Sequence, residues 1–410
     1  MNRRRGLVLG AGLVVLIAAL WAGQALLQGT AEAQSVQAPM FQVDPLWPKP
    51  LPNAWRLGST IGVWVDAQDH VWIIHRSSAT LGNNEKQMEL DPPTSTECCI
   101  GAPPVLAFDQ EGNLLQAWGA KPGDLGEGWE WPESNHGIFV DQMGNVWIGG
   151  NGPGDSHILK FTQDGTFLAQ YGRAGARLAG RDAQGQPTYV LNSHDPENFG
   201  RVAKIYVDSQ ANEAYLADGY LNKRVAVIDA NTGQMKRFWG AYGNVPDDNY
   251  TFPPRGLNQP PPQQFRNPVH CAMLSNDGFV YVCDRQSDRV QVFTKEGTFV
   301  KEAFFSPSTL GSGSTWDIAF SRDPEQRYIF LADGVNEKVR IVLRETLEEL
   351  TNFGAGGRQP GQFYGVHSIA TDSQGNIYTT ETYEGKRLQK FVYMGMGSVA
   401  REQGVVWPPR

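Results

Sequence analysis

The chain has 410 residues, of which 40% are hydrophobic and 11% aromatic, and its formal charge is −8. This composition supplies enough apolar side chains for a substantial core. No block of Lys and Arg follows the N-terminus, and an acidic chain is a poor partner for nucleic acid or for an anionic membrane surface. The 46 glycines and 26 prolines are typical of an all-β protein with many tight turns.

The N-terminus has the three parts of an export signal. Arginines at positions 3–5 precede an almost uncharged apolar stretch over residues 6–27, and small residues flank Glu32 at the spacing used for cleavage. We therefore predict a signal peptide over residues 1–33 and a protein exported to the periplasm or the cell exterior; a retained anchor is the alternative. Loss of three Arg and one Glu with this segment would change the charge from −8 to −10. No second apolar run is long enough to span a bilayer, so no membrane contact is expected beyond this segment.

The four cysteines are too few for a disulfide scaffold at this length. Cys271 and Cys283 flank the turn sequence at residues 275–278, so a disulfide across one hairpin is open to them in an exported protein. Cys98 and Cys99 are adjacent, and the sequence leaves their state undecided.

A short alternating strand, a turn with Asp or Asn-Gly and a second strand recur along the chain. Two examples are residues 138–148, which run through Gly144-Asn145, and residues 205–218. Each unit continues with a third and usually a fourth strand. After the second strand, an Asp, a short loop and a basic residue often follow, as in Asp218 to Arg224, and this pattern resembles NHL repeats. We read the basic residues at positions 224, 289 and 338 as partners that stabilise this turn.

Six such units fit within residues 61–399, which predicts an all-β, six-bladed propeller with four-stranded blades around a central channel. The preceding extension, residues 34–60, includes an extended segment at 40–43 that we expect to supply the outer strand of the last blade. Residues 400–410 are a C-terminal tail. Three long insertions, at 77–104, 173–199 and 241–265, are where binding groups are expected.

Three of the seven histidines occupy one equivalent position of the repeat. His136, His270 and His367 each stand just before the innermost strand, in blades two, four and six. Alternate blades of six are about 120° apart, so three imidazoles at one height would form a tripod on the axis, with the open fourth position of a catalytic zinc site. The alternative is three separate hydrogen-bonding histidines at the channel mouth. In blade one we place Gly62 in this position.

The residue that follows the second strand of a blade lies at the same end as the start of the first strand. Arg76, Tyr220 and Arg285 follow second strands, so we expect them on the face of the propeller that carries the tripod. Two guanidiniums and a phenol beside a metal ion are suited to binding a carboxylate and moving a proton. Each of these residues also has a purely structural alternative. Arg285 could form an ion pair with Asp288, and Tyr220 could serve only in packing.

The order and spacing of these residues resemble those of the peptidyl-α-hydroxyglycine α-amidating lyase family. The resemblance extends over residues 61–396 of this chain. The resemblance implies a zinc ion held by the three histidines, Tyr220 as general base, and Arg76 and Arg285 as ligands for a carboxylate and an oxyanion. It implies cleavage of a carbinolamide into an amide and glyoxylate by a protein that we expect to be monomeric. The substrate is then a peptide or small molecule with a carboxylate. No partner monooxygenase domain is present in the sequence, so a related α-hydroxy compound is a second substrate class.

The resemblance also implies a structural calcium, bound through the carbonyls of Val63 and Ile138 and an aspartate after the last histidine. Ser368 stands at the aspartate position, and a neutral hydroxyl is a poorer ligand for Ca²⁺. The family's disulfide is also unmatched, since Leu221 follows the tyrosine. Two other functions stay open: a non-catalytic NHL propeller that binds protein or glycan, and a propeller hydrolase such as a calcium lactonase. The latter would favour Asn, Asp and Glu around the axis rather than histidines.

Overall fold

The computed structural model describes residues 35–256 and 258–408, so the predicted signal peptide lies outside the described residues. The described chain forms six four-stranded antiparallel sheets, one per blade, together with three short two-stranded pairs. From the innermost strand outwards, blades one to three are Thr60–Val65, Val71–His75, Val105–Phe108 and Leu114–Trp118; Asn135–Val140, Val146–Gly150, His157–Phe161 and Phe167–Gly172; and Val202–Asp208, Glu213–Asp218, Arg224–Asp229 and Met235–Trp239. Blades four to six are Val269–Leu274, Phe279–Asp284, Arg289–Thr294 and Phe299–Phe304; Asp317–Phe320, Tyr328–Asp333, Lys338–Leu343 and Glu348–Phe353; and Val366–Thr371, Ile377–Glu381, Arg387–Ala400 and Ser35–Asp44. The predicted six-bladed propeller is confirmed.

The ring is closed by the strand Ser35–Asp44, which contains the segment expected to do so and pairs antiparallel with Arg387–Ala400. Phe41 of this strand packs edge-on against Phe330 of blade five, with ring centroids 5.3 Å apart. The first described residues therefore hold the last blade to its neighbour, and burial of the Phe41 side chain stabilises the closed ring by about 2 kcal/mol.

Recurring aspartates fix the turn between the first and second strands. Asp66, Asp141 and Asp372 each accept hydrogen bonds from backbone N–H groups two and four residues later. The other carboxylate oxygen accepts from an aromatic side chain on the second strand, for example Trp147 Nε1 at 2.9 Å. One residue thus sets the hairpin and orients a large buried ring against the neighbouring blade.

The aspartate after the second strand forms a buried ion pair with an arginine of the third strand. Asp218 pairs with Arg224 at 2.8 Å and Asp284 with Arg289 at 2.9 Å, as predicted. In blade five the predicted partner, Lys338, is wrong: the residue that pairs with Asp333 is Arg340, at 2.7 Å. Alternate residues of a strand share a face, so Arg340 reaches the carboxylate from the next position on the same face.

The three insertions carry short elements of their own. The first holds the 3₁₀ turns Ser77–Thr80, Asn83–Glu85 and Gln87–Glu89 and a strand, Ile100–Gly101, that pairs with Trp55–Arg56. The second holds the hairpin Leu178–Arg181 with Pro187–Tyr189. The third begins with the 3₁₀ turn Ala241–Gly243, and the remaining short elements are the hairpin Leu125–Gly126 with Trp129–Glu130 and the turn Arg285–Ser287.

Both pairs of cysteines are joined. Cys271 and Cys283 are directly opposite in the first hairpin of blade four, with Cα atoms 4.8 Å apart, and they form a disulfide. Cys98 and Cys99, in the first insertion, are also bonded to each other. No helix of the described residues is long and apolar enough to cross a membrane.

An ion pair crosses the central channel. Lys204 in blade three places its ammonium 2.5 Å from a carboxylate oxygen of Asp317 in blade five, and Ser368 in blade six donates a hydrogen bond to the same carboxylate at 2.6 Å. All three side chains are buried. Further along the axis, Trp64 and Phe139 pack with ring centroids 4.3 Å apart and line a cavity at the opposite mouth.

This arrangement does not fit the calcium ion that the resemblance implied. Ile138 and Ser368 line the same small axial cavity as the Lys204–Asp317 pair, and the Ser368 hydroxyl lies 3.4 Å from the backbone nitrogen of Val63. The aspartate expected after the last histidine is absent from the sequence, and the one carboxylate that lines the cavity is already neutralised by an ammonium. Lys204 therefore supplies the positive charge that a structural cation would bring.

The stability of the fold should decrease in acid because of His75, which is fully buried. Its Nδ1 accepts from the backbone N–H groups of Gly58 and Ser77, and its Nε2 donates to the carbonyl of Pro103 at 2.9 Å. Burial lowers the pKa of His75 from 6.5 to about 4. Between pH 6.5 and pH 4 the unfolded chain is therefore protonated at His75 while the folded chain is not. The free energy of unfolding falls by about 3 kcal/mol over this range as the pH decreases. The free energy of unfolding, measured with urea across this pH range, should decrease less for His75→Asn than for the wild type. Parallel plots of this free energy against pH for the two proteins would contradict this account.

Calcium should leave the thermal stability of the wild-type protein unchanged, because Lys204 occupies the charge position on the axis. Lys204→Met should lower the free energy of unfolding by about 3–5 kcal/mol, since the Asp317 carboxylate is left buried without its partner. Added calcium should restore part of this loss in the variant alone. The measurement is the melting temperature during a calcium titration of both proteins, and stabilisation of the wild type by calcium would contradict the assignment.

Candidate metal centre

Three backbone bulges place three imidazoles on the propeller axis. The pairing of the innermost strand with its neighbour shifts register at the histidine in each even-numbered blade: between Asn135 and Ile138, between Val269 and Cys271, and between Val366 and Ser368. A bulged residue is left out of the ladder and its side chain is re-aimed. His136, His270 and His367 thereby leave the sheet pattern and converge in the channel.

The second ring nitrogen of each histidine is fixed by the next blade. The Nδ1 atoms donate to backbone carbonyls as follows: His136 to Ala203 at 2.6 Å, His270 to Trp316 at 2.5 Å, and His367 to Ile61 at 2.6 Å. A carbonyl only accepts, so Nδ1 carries the proton and the lone pair of Nε2 is free to bind a ligand. The odd-numbered blades thus contribute a carbonyl where the even-numbered blades contribute an imidazole. The position in blade one that corresponds to the histidines is Ile61, and not Gly62 as predicted from the sequence, because the bulge between Thr60 and Gly62 shifts it by one residue.

The three rings form a compact triangle. Their centroids are 4.8–5.0 Å apart, their ligand nitrogens all lie within 4.8 Å of one another, and each residue is at most 4% exposed. Burial lowers the pKa of all three histidines well below the ordinary value; for His270 and His367 the next cause is the positive charge of Arg285. The imidazoles are therefore neutral near pH 7, which is the form that binds metal ions.

The donor set fits a metal ion. Three neutral nitrogens converge on one point and an outer shell of carbonyls holds their orientation, as found around histidine ligands of zinc. Imidazole also accepts copper, iron and nickel, so the donors limit the metal to this group without choosing within it. The predicted tripod is present, and it can hold one metal ion.

Tyr220 lies directly over the tripod. Its phenol oxygen is 2.9 Å from Nε2 of His136 and 3.1 Å from Nε2 of His270. The backbone that carries it packs against blade four so closely that a Cβ on Gly219 would collide with the main chain of Val269. The preceding glycine is thus required to bring this phenol to the axis.

The two predicted arginines flank the phenol. Arg285 Nη1 donates to the Tyr220 oxygen at 3.2 Å, and its guanidinium lies 4.6 Å from the centroid of the Trp316 ring. The alternative pairing with Asp288 is wrong, since that carboxylate accepts instead from the backbone N–H of Ser314. Arg76 is held by Asn151, whose Oδ1 accepts from Nη2 at 2.9 Å. The structure therefore brings Arg76, Tyr220 and Arg285 together at the same end of the channel as the tripod.

The other four histidines are engaged elsewhere. His75 bonds to backbone groups of the first insertion, His157 to the carbonyl of Glu130, His194 to the carbonyl of Pro246, and His70 to Asp66. None of them belongs to a metal-binding cluster within the described part of the chain.

Arg201 is a further charged residue of this face that sequence reasoning missed. Its guanidinium lies 5.9 Å from the centroid of the Tyr220 ring, and its Nε donates to the backbone carbonyl of Asn151 at 2.7 Å. Its position just before an innermost strand, two residues from the histidine-equivalent Ala203, was a usable signal.

Among known proteins, NHL repeat-containing protein 3 of Mus musculus is 26% identical to this chain over 323 residues, which are 77% of this chain and 70% of the mouse protein. Peptidyl-glycine alpha-amidating monooxygenase B of Xenopus laevis is 28% identical over 173 residues. That match spans 41% of this chain but only 16% of the frog protein. No family model matches the chain.

Among solved structures, a streptogramin B lyase aligns with a TM-score of 0.49 at 12% identity, covering 88% of this chain and 99% of that one. A virginiamycin B lyase from Staphylococcus aureus aligns with a TM-score of 0.45 at 12% identity, covering 87% and 92% of the two chains. The strand pairing of the six sheets establishes the propeller fold. The chain is an all-β, six-bladed propeller with NHL-repeat relatives, and its buried histidines can hold a metal ion.

Proposed function

We propose that the protein is an exported, metal-dependent lyase that cleaves the C–N bond of a carbinolamide carrying a carboxylate. One observation supports this most directly: the Tyr220 oxygen lies within hydrogen-bonding distance of two tripod nitrogens and of Arg285. A proton-transfer group, a metal-binding set and a cation thus meet at one point. The weak similarity to the amidating monooxygenase is consistent with this activity. Zinc is the metal we propose for the tripod.

A metal ion on His136, His270 and His367 would lower the pKa of a bound substrate hydroxyl. Tyr220, entering the step as the phenolate, would accept the hydroxyl proton while the oxygen electrons form a C=O bond and the C–N electron pair leaves with nitrogen. The phenol formed in this way would donate that proton to the departing amide nitrogen, so the tyrosine returns to its starting form, the products are an amide and glyoxylate, and no redox partner is needed. Tyr220 is only partly exposed, which limits competition from water for this proton.

The arginines bind the charged part of the substrate. Arg285 lies beside the Tyr220 oxygen and would stabilise negative charge that develops near the reacting carbon. Arg76 lies on the other side of the channel mouth, where a carboxylate would receive charge-assisted hydrogen bonds. We propose that the substrate enters from this mouth as a peptide or small molecule and that the protein acts as a monomer outside the cytoplasm.

A second function is a non-catalytic NHL propeller that presents a surface to protein or glycan. The extent of the match to NHL repeat-containing protein 3 favours it, because this relative aligns over more of the chain than the amidating monooxygenase does. Such a protein would need neither the tripod nor Tyr220 for its function.

Tyr220→Phe tests the lyase directly. The zinc-loaded wild type should release glyoxylate from an α-hydroxyglycine peptide, and the variant should lower kcat by about 100-fold or more because it loses the proton-transfer group. The product is measured by coupled reduction of glyoxylate, and metal content is checked to confirm that both proteins are equally loaded.

Tyr393→Phe, in the outer half of blade six, is the matched control and should keep full activity. Equal rates for wild type and Tyr220→Phe would exclude this mechanism. No glyoxylate release from any carbinolamide by the metal-loaded wild type would favour the binding function.

A further inference from the structure

Arg201 holds a backbone conformation that its side chain disfavours. Its φ is 67°, in the left-handed region that glycine adopts without cost and that costs other residues about 1 kcal/mol or more. Non-glycine residues in such conformations are found preferentially at functional sites. Arg201 immediately precedes the innermost strand of blade three, and its carbonyl accepts from the backbone N–H of Tyr220 at 3.3 Å. The fold therefore maintains an arginine where a glycine would be easier.

Asn151 holds Arg201 and Arg76 side by side. Its backbone carbonyl accepts from Nε of Arg201 at 2.7 Å and also from Nη2 of the same guanidinium. Its side-chain Oδ1 accepts from Nη2 of Arg76 at 2.9 Å and from the hydroxyl of Ser134 at 2.9 Å. One residue thus fixes the positions of two guanidiniums.

The second insertion adds a further contact. Tyr189, at the end of its hairpin, places its hydroxyl 3.4 Å from Nη1 of Arg201 and its ring centroid 5.6 Å from the guanidinium. The guanidinium of Arg201 thus lies within 6 Å of the ring centroids of both Tyr189 and Tyr220, at 5.6 Å and 5.9 Å. The second insertion therefore contributes directly to the position of this arginine beside Tyr220.

None of the three arginines around Tyr220 forms a short ion pair with the described residues. No carboxylate of residues 35–256 or 258–408 lies within 4.0 Å of the guanidinium of Arg76, Arg201 or Arg285, whereas Arg224, Arg289 and Arg340 all have such partners. Burial lowers the pKa of Arg76, and the nearby charge of Arg201 adds a smaller effect in the same direction, whereas Tyr220, Tyr383 and the carboxylate of Asp155 act in the opposite direction. Two guanidiniums held together without a contacting carboxylate form a site suited to an anion.

Both guanidiniums retain donors for a ligand. Arginine has five N–H groups. Arg201 forms hydrogen bonds through Nε, Nη1 and Nη2 with Asn151 and Tyr189, which leaves two N–H groups. Nη1 of Arg76 forms no hydrogen bond with the described residues, since its bonds use Nε and Nη2. One carboxylate with two oxygens could accept from both arginines.

We propose that Arg201 and Arg76 form a two-arginine subsite that binds the carboxylate of an α-hydroxy acid while its hydroxyl lies at the metal centre. The inference rests on the proposed function and extends it, because it assigns Arg201, Asn151 and Tyr189 to substrate selection. It leaves Arg285 to act at Tyr220. Substrates that lack the carboxylate are then rejected, since two guanidiniums would remain unpaired beside them.

The test uses binding alone, so that it is independent of turnover. Lactate and lactamide have nearly the same shape, but only lactate carries a negative charge, and both are titrated calorimetrically into the zinc-loaded protein. The wild type should bind lactate more tightly than lactamide. Arg201→Gly should weaken lactate binding about tenfold or more while lactamide binding stays unchanged. Arg201→Lys should be intermediate, because it keeps the charge but loses the planar donor pair.

Two controls separate a binding role from a structural one. Arg201→Gly should melt at or above the wild-type temperature, since glycine adopts this φ freely. Arg322→Ala removes one exposed positive charge from the opposite mouth and should not change lactate binding. Equal losses for lactate and lactamide, or none for either, would overturn the proposal. Failure of the proposed lyase would appear separately, as absence of glyoxylate release with lactate binding intact.

Discussion

The hydrogen bond from each histidine Nδ1 to the carbonyl of the next blade is the interaction on which the site depends. It occurs three times around the ring and joins each even-numbered blade to the odd-numbered blade that follows. It sets the tautomer, aims Nε2 at the axis and gives a buried backbone carbonyl a hydrogen-bond partner. Closure of the ring by Ser35–Asp44 keeps the last of these contacts, between blades six and one, in place. The same three hydrogen bonds therefore hold neighbouring blades together and set the geometry of the metal-binding site.

The channel separates two kinds of positive charge. On the inner side of the tripod, Lys204 is neutralised by Asp317 and serves the fold. On the outer side, Arg76, Arg201 and Arg285 surround Tyr220 without a carboxylate partner among the described residues. A buried ion pair contributes little net stability but is costly to break, whereas unpaired cations at a cleft attract an anion. This division explains how an acidic protein can present a cationic site at one mouth of its channel.

Repetition made the fold and the tripod predictable, because the same strand pattern and histidine position return along the chain. The details that failed depend on local geometry that repetition does not encode. The bulge moved the blade-one position from Gly62 to Ile61, and strand alternation gave Arg340 the role predicted for Lys338. Lys204 and Arg201 were missed because their partners are distant in sequence: Asp317 is 113 residues from Lys204, and Asn151 is 50 residues from Arg201. Contacts across the channel become visible only when the blades are closed into a ring.

The central claim is that three histidines hold one metal ion on the axis, and metal content tests it most directly. The protein is dialysed against zinc, freed of unbound metal and analysed by mass spectrometry beside His270→Ala and the control His70→Gln, whose imidazole contacts Asp66 and belongs to no metal-binding cluster of the described residues. The account predicts about one zinc per chain in the wild type and the control, and a large loss in His270→Ala. Equal zinc in all three proteins, or none in the wild type, would contradict it.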